Sequence, residues 1–219
     1  PANITWLTGY DMIWYHLQNL TGVLVRADSD DTVFFDSSAH TTIISTTPEI
    51  SEVIYIDAAA VSGTVDESIS AIVGGIADKG LGGGRIGLEL WGYAPHASVM
   101  DTLASALRKG GATVEDHWTL IEKQRFVKSD LEVQHVRKAA GIADLAMTAA
   151  RDTIRPGIME TEIEGVIMAT MMKAGGGYPG IRTMIGSGPR SGTHHSSATR
   201  RQIKQGDIVF VDFCGCYDR

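Results

Sequence analysis

The sequence predicts an α/β amino-terminal domain, a mixed sheet with flanking helices, followed by an α+β domain. In the first half, short runs of β-branched and aromatic residues alternate with stretches of helical periodicity, which is typical of a sheet covered by helices. In the second half, two helices come in succession and strands follow them, which is an α+β pattern. At roughly 100–200 residues per domain, the 219 residues leave room for two domains. We place the boundary near residue 125, with domains over residues 1–125 and 126–219.

Strands in the first half are predicted where Val, Ile, Thr and Phe cluster between Asp, Ser and Pro. These runs are residues 22–27, 31–37, 41–46, 52–58 and 85–90. Helices are predicted over residues 66–81 and 94–111, from apolar spacing in the first and a Lys-Gly stop signal in the second. Gly82, Gly84 and Gly87 have the spacing of a dinucleotide-binding loop. Such a loop needs a strand before it and a helix after it, so the inverted order here favours a helix end and a turn.

The second half opens on a long helix, because Ser129 and Glu132 form a capping box and Pro156-Gly157 provides a stop. A second helix is closed by three glycines. The predicted elements are helices over residues 129–157 and 159–177 and strands within residues 183–188 and 206–215.

Composition excludes some classes of function. Hydrophobic residues make up 43% and charged residues 21%, an ordinary globular balance. A net charge of −7 argues against nucleic-acid or membrane-surface binding, because both need a basic face. No run approaches the roughly 18 consecutive apolar residues of a membrane span, and the opening residues show no signal-peptide pattern, so we expect neither feature. Two cysteines cannot form a disulfide framework, so a cytoplasmic location is expected. The chain begins at Pro1 rather than Met, and we expect a fragment cut at both ends.

One aspartate lies near the end of the apolar run DIVFVDFCG. If this run is a strand, Ile208, Phe210 and Asp212 share one face and the intervening residues share the other. A buried lone carboxylate is costly unless it is paired, hydrogen-bonded or bound to a metal. Asp212 is therefore either an oxygen ligand for a divalent metal or an exposed or salt-bridged residue at a strand end.

Two histidines, His194 and His195, lie upstream in a Ser/Thr-rich loop. A loop histidine is either an acid/base or hydrogen-bonding group near neutral pH, or a plain surface residue. Neighbouring strands and loops could bring His195 and Asp212 to one cleft, but composition does not decide this.

The stretch HHSSATRRQIKQGDIVFVDFCG resembles the M24, or pita-bread, superfamily of creatinase, aminopeptidase P, prolidase and methionine aminopeptidase. In that family a histidine is followed by a polar stretch, Gly-Asp, an apolar strand and the first metal-binding aspartate. VKSDLEVQHVRKAAGIADLAM and RPGIMETEIEGVI resemble the first helices of the same domain. NITWLTGYDM and RIGLEL resemble the creatinase-type amino-terminal domain.

The resemblance implies a creatinase-like amino-terminal domain followed by the first part of a pita-bread catalytic domain. It implies a hydrolase acting on a small peptide or amide, most simply an Xaa-Pro aminopeptidase or dipeptidase, and a homodimer. Two divalent ions, Mn²⁺, Co²⁺ or Zn²⁺, would share a water, with Asp212 as the first metal ligand and His195 as the catalytic residue that hydrogen-bonds the substrate. The family's other ligands come later, beyond Arg219, so this chain alone is expected to be inactive.

Alternatives stay open on the same fold. Creatinase works without metal and has asparagine where Asp212 stands, and the run Thr199-Arg200-Arg201 resembles creatinase. Ectoine-type amide hydrolases share the scaffold, and some pita-bread domains are binding modules without catalysis. Methionine aminopeptidase is a weaker match that would favour His194.

Lesser candidates have a structural interpretation beside the functional one. Four arginines could bind a substrate carboxylate or lie in a solvated loop: Arg182, Arg190, Arg200 and Arg201. Four aromatic residues could line a pocket edge or simply pack: Trp6, Tyr10, Trp14 and Tyr15. The cysteines, Cys214 and Cys216, are too few for a structural zinc site and are interpreted as core residues.

Overall fold

The chain forms two compact units, Pro1–Val127 and Lys128–Arg219, in a computed structural model that describes residues 2–11, 20–47, 49–56, 65–92 and 95–218. The first unit is α/β with a mixed sheet and flanking helices, and the second has the helix pair and strands of an α+β domain, so the predicted fold class is confirmed. No helix within these ranges is both long enough and apolar enough to cross a bilayer.

Helices and short strands alternate in the first unit. Its helices are α1 (Ala2–Thr8), α2 (Thr41–Ser45), α3 (Val65–Asp78), α4 (Ala97–Lys109) and α5 (Leu120–Phe126). Its strands are β1 (Gly22–Val25), β2 (Thr32–Asp36), β3 (Glu52–Tyr55), β4 (Arg85–Leu88) and β5 (Thr113–Asp116). β2 pairs antiparallel with β1 and parallel with β3, and β4 pairs parallel with β5.

The core of this unit lies between helices and strands. In α3 the buried residues Ile69, Ile72 and Ile76 recur at helical spacing, and in α4 Leu103 and Leu107 do the same. They join strand residues of β2, β4 and β5 in one apolar cluster. Burying one side of each helix against the strands is what the apolar spacing of both segments predicts.

The prediction of a strand over residues 41–46 is wrong, because this segment forms α2 after a 3-10 turn at Ser38–His40. The cause is Asp36, a fully buried carboxylate at the end of β2. Its Oδ1 accepts a hydrogen bond from the Ser37 backbone N–H at 2.8 Å and lies 3.0 Å from His40 Nδ1. These contacts stabilise the turn directly after β2. β-Branched composition is a weak preference that side-chain hydrogen bonds at a turn override.

The glycine-rich segment after α3 is a helix end and a turn, as the inverted element order predicts. Gly80 takes a φ of +74°, which suits glycine at a helix terminus, and its N–H bonds to the Ala77 carbonyl at 2.8 Å. β4 then begins at Arg85.

The second unit begins with two helices, α6 (Asp130–Thr153) and α7 (Glu160–Lys173), followed by the antiparallel pair β6 (Met184–Ser187) and β7 (Val209–Asp212). The predicted capping box is confirmed, since the Ser129 hydroxyl accepts from the Glu132 N–H and the Glu132 carboxylate accepts from the Ser129 N–H. The two helices pack through buried residues four apart along each of them. These residues are Ile142, Ala146 and Ala150 in α6 and Ile163, Ile167 and Met171 in α7.

Candidate active site

Asp212 is the last residue of β7 and lies opposite Met184 of β6. The predicted alternation along this strand is observed, since Val209, Val211 and Phe213 pack against the core of the second unit. Asp212 is on the other face and its side chain is exposed. In the part of the chain that the structure describes, Asp212 therefore does not carry the free-energy cost of a buried lone carboxylate.

His195 lies in the segment between β6 and β7. Its backbone has a φ of +60°, an unusual conformation for a non-glycine residue, and its side chain is exposed. Its ring centroid is 6.5 Å from that of His194. Immediately after it, the Ser196 carbonyl accepts a hydrogen bond from the Ile185 N–H at 2.9 Å.

β6 brings the two predicted site segments side by side. Met184 pairs with Asp212 on one edge of β6 and bridges Ser197, two residues after His195, on the other edge. Neighbouring strands lie about 4.8 Å apart, so the backbones at Ser197 and Asp212, one on each side of β6, are separated by roughly 10 Å. The sequence could suggest this proximity, but only the pairing of β6 produces it.

Glu160, at the start of α7, is a buried carboxylate that contacts the chain before and after the segment that carries His195. Its side chain is fully buried, and its Oε1 accepts hydrogen bonds from the Ser187 N–H at 2.8 Å and the Ser187 hydroxyl at 2.7 Å. Its Oε2 accepts from the Thr199 N–H at 2.9 Å, from the Thr199 hydroxyl at 2.7 Å and from the Arg190 guanidinium. One carboxylate thus connects the chain at Ser187 with the chain at Thr199.

These contacts keep Glu160 ionised. Burial, the largest single influence, raises the pKa of this carboxyl, but the hydrogen bonds from Ser187, Thr199 and Arg190 together outweigh it and lower the pKa from 4.5 to about 2. Glu160 has no signal of its own in the sequence, because nothing in METE distinguishes it from Glu162, which caps α7 by accepting the Met159 N–H.

A second ion pair supports the same turn. Arg201 donates to Asp207 at 2.7 Å and to the Ser187 hydroxyl at 2.6 Å. The hydrogen bond from Arg201, followed by that from the Lys204 N–H, lowers the pKa of Asp207. Gly188 lies against this pair with a φ of +53°, and a Cβ there would be 2.5 Å from both the Arg201 Nη2 and the Asp207 Oδ1.

The four candidate arginines differ in their surroundings. Arg190 and Arg201 are engaged by internal carboxylates, so their charges support the fold. Arg182 lies 3.9 Å from Glu164, and Arg200 is exposed.

Two of the four aromatic candidates, Trp6 and Tyr10, lie among the described residues. Tyr10 is 1% exposed, packs against the tilted ring of Phe34 and donates a hydrogen bond from its hydroxyl to Asp36 at 2.5 Å, so the packing interpretation is right for it. Trp6 is 41% exposed. Trp14 and Tyr15 lie outside the described residues.

The described residues do not by themselves fit a two-metal site. Within residues 2–11, 20–47, 49–56, 65–92 and 95–218, no three His, Cys, Asp or Glu side chains come together in a group that could hold a metal ion. Asp212 is one oxygen donor with the right chemistry for a hard divalent ion. Cys214 and Cys216 are half-buried free thiols.

Comparison with known proteins covers both units. Residues 1–127 match the model of the creatinase/prolidase N-terminal domain, and residues 134–219 match that of metallopeptidase family M24. The chain is 30% identical over 131 residues to the Xaa-Pro aminopeptidase of Escherichia coli K12, covering 57% of this chain and 30% of that protein. It is 35% identical over 123 residues to the Xaa-Pro dipeptidase of Pyrococcus horikoshii, covering 56% of this chain and 34% of that protein.

Solved structures show the same fold across the chain. The Xaa-Pro dipeptidase from Bacillus anthracis superposes with a TM-score of 0.75 at 23% identity, covering 99% of this chain and 55% of that one. The prolidase from Thermococcus sibiricus gives a TM-score of 0.80 at 18% identity, covering 100% of this chain and 56% of that one. The chain therefore spans about half the length of these proteins.

Proposed function

This chain belongs to the creatinase/prolidase family of M24 metallopeptidases, and from that premise we propose that the protein containing it is a metal-dependent hydrolase of Xaa-Pro peptides. The names of the relatives from Escherichia coli and Pyrococcus horikoshii support both the peptide substrate and the bond next to proline. The two compact units correspond in this proposal to an amino-terminal domain and the first part of a catalytic domain.

One backbone arrangement carries the proposal. Met184 has Asp212 on one side and Ser197 on the other, so the predicted ligand and the segment of the predicted catalytic histidine flank a single strand. Both side chains are exposed and available to a substrate or a metal ion.

The roles follow from the chemistry of the two side chains. Two divalent ions, if bound, would lower the pKa of a coordinated water and polarise the scissile carbonyl. Asp212 supplies one carboxylate ligand, and the identity of the ions, Mn²⁺, Co²⁺ or Zn²⁺, is part of the proposal. His195 donates a hydrogen bond to the oxygen on which negative charge develops. A homodimer and a cytoplasmic location stay predictions.

The metal-free, creatinase-type alternative loses one of its supports. The run Thr199-Arg200-Arg201 suggested it, but Thr199 donates to Glu160 and Arg201 donates to Asp207. Those two side chains are explained by the support of the turn, so they give no separate indication of creatinase chemistry. Asp212, rather than asparagine, favours the metal-dependent reaction.

The test is the substitution Asp212→Asn in the protein that contains this chain, with Asp218→Asn as a matched control. Asp218 is also exposed, and its φ of +47° is one that asparagine tolerates. We expect Asp212→Asn to reduce bound metal and to lower kcat/KM for an Xaa-Pro dipeptide by about 10²-fold or more, because one oxygen ligand is lost. The control should retain both.

Three outcomes would contradict the proposal. Unchanged, metal-stimulated activity of Asp212→Asn would remove Asp212 from the site. Wild-type hydrolysis that survives chelation would favour the creatinase-type or ectoine-type reaction. Absence of hydrolysis of both Xaa-Pro and Xaa-Ala dipeptides in the metal-loaded wild type would favour a binding module.

A further inference from the structure

The segment that carries His195 is held by β6, through the hydrogen bond from the Ile185 N–H to the Ser196 carbonyl, and by contacts at its two ends. We define the histidine loop as residues 188–198, which connect Ser187 at the end of β6 to Thr199. The Ser187 N–H donates to Oε1 of Glu160 at 2.8 Å, and the Thr199 N–H donates to Oε2 of the same carboxylate at 2.9 Å. Both ends of the loop are therefore closed by one side chain.

Arg190 adds a brace across the loop. Its Nη1 donates to Glu160 and, at 3.1 Å, to the Thr199 hydroxyl, while its Nη2 donates to the Ser197 carbonyl at 2.8 Å. A residue near the start of the loop is thereby tied to its final residues, and Glu160 provides the charge that holds the guanidinium in place.

Apolar packing contributes little to the shape of this loop. Gly192, Thr193, His194 and His195 are exposed, and Ala198 is the loop residue that packs, half-buried, against the core of the second unit. A segment with few buried apolar contacts opens easily unless polar contacts hold it. The hydrogen bonds to Glu160 are charge-assisted, and such bonds are stronger than neutral ones.

We propose that Glu160 is the positioning residue of the site: by closing the histidine loop at both ends it sets where His195 stands. Glu160 is fully buried and His195 is exposed, so Glu160 acts through the loop and does not reach a substrate. The part of this inference that concerns catalysis rests on the proposed function of His195, whereas the part that concerns the loop does not.

The first experiment measures amide hydrogen exchange by mass spectrometry in the protein that contains this chain. Glu160→Gln is compared with Glu162→Gln, which makes the same change two residues along in the first turn of α7. Glu162 accepts the Met159 N–H at the helix start and, among the described residues, makes no hydrogen bond or ion pair with the histidine loop, so its loss weakens the cap and leaves the loop closure intact.

At labelling times too short for global unfolding to contribute, we expect exchange in peptides covering the histidine loop to become about tenfold faster in Glu160→Gln, while exchange in α6 stays unchanged. Glu162→Gln should leave loop exchange as in the wild type. Loop exchange that is unchanged in Glu160→Gln, or equally accelerated in both variants, would overturn the proposal. If Glu160→Gln does not fold, Thr199→Val makes the same comparison, because it removes one hydroxyl donor to Glu160 and keeps the backbone donor.

The second experiment is a double-mutant cycle on the hydrolysis of an Xaa-Pro dipeptide. Glu160→Gln should lower kcat by about tenfold with little change in KM, and should cost no further loss in a His195→Ala background, because positioning matters only while His195 is present. Equal losses in both backgrounds would mean a general structural role and would contradict the proposal. If His195→Ala has no effect, the proposed role of His195 fails, and the exchange experiment still decides whether Glu160 holds the loop.

Discussion

The ionised carboxylate of Glu160 should make a large, pH-dependent contribution to the stability of the second unit. We consider the change Glu160→Gln, in which the amide resembles the protonated acid in shape. In the wild type, five donors from Ser187, Thr199 and Arg190 converge on the two carboxylate oxygens. The variant keeps a single oxygen and turns an NH₂ group toward some of these donors, which leaves buried groups without partners.

The magnitude follows from the pKa of this carboxyl. Its pKa in the folded protein is about 2, against an ordinary value of 4.5. At 1.36 kcal/mol per pH unit, the ionised form stabilises the fold by about 3 kcal/mol at neutral pH. Because the folded pKa is depressed, this contribution is fully present above pH 4.5 and is lost as the pH falls from there toward 2.

The assay is hydrogen exchange at increasing urea, which gives the free energy of unfolding for each unit from its own peptides. At pH 7 the free energy of unfolding measured in peptides of α6 and α7 should be about 3 kcal/mol higher in the wild type than in Glu160→Gln. This difference should shrink toward zero between pH 4.5 and pH 2. Carboxylates that share no partner with Glu160 titrate in both proteins and cancel in the difference. A difference below about 1 kcal/mol at pH 7, or one that does not shrink in acid, would refute the reasoning.

Two further predictions concern other buried polar contacts. Asp36→Ala removes the acceptor of the buried Tyr10 hydroxyl and the Ser37 N–H, and should lower the stability of the first unit by about 3 kcal/mol or more. Tryptophan fluorescence in urea measures this loss, because all four tryptophans lie within residues 1–127. As a control, Asp30→Ala at an exposed position should change the stability by less than about 0.5 kcal/mol. Gly188→Ala forces a left-handed residue and a Cβ within 2.5 Å of the Arg201–Asp207 pair, and should cost the second unit about 2 kcal/mol or more in the same exchange assay. Gly192→Ala, where a Cβ meets nothing within 4 Å, should cost far less, and equal losses at the two glycines would contradict the role of the ion pair.

The sequence predicted the elements whose signals are local. Helices α3, α4 and α6 follow apolar spacing and capping chemistry that each segment contains within itself. The alternation of residues along β7 also follows from the chain alone, since successive side chains of any strand point to opposite faces. The strand prediction for residues 41–46 is wrong because the preference of β-branched residues is small compared with the turn imposed by the buried Asp36.

The candidate site likewise combines features that the sequence predicts with features that depend on the tertiary structure. By itself the sequence determined which residues carry the proposed chemistry, Asp212 and His195, because their types, order and spacing resemble the M24 pattern, and their roles stay predictions. Only the tertiary structure decided that β6 brings their segments together and that Glu160, rather than its neighbour Glu162, closes the histidine loop. The physical reason is that a hydrogen bond between residues 27 or 39 positions apart depends on how the chain folds back. No local sequence pattern indicates which of two carboxylates, two residues apart, will be buried against Ser187 and Thr199.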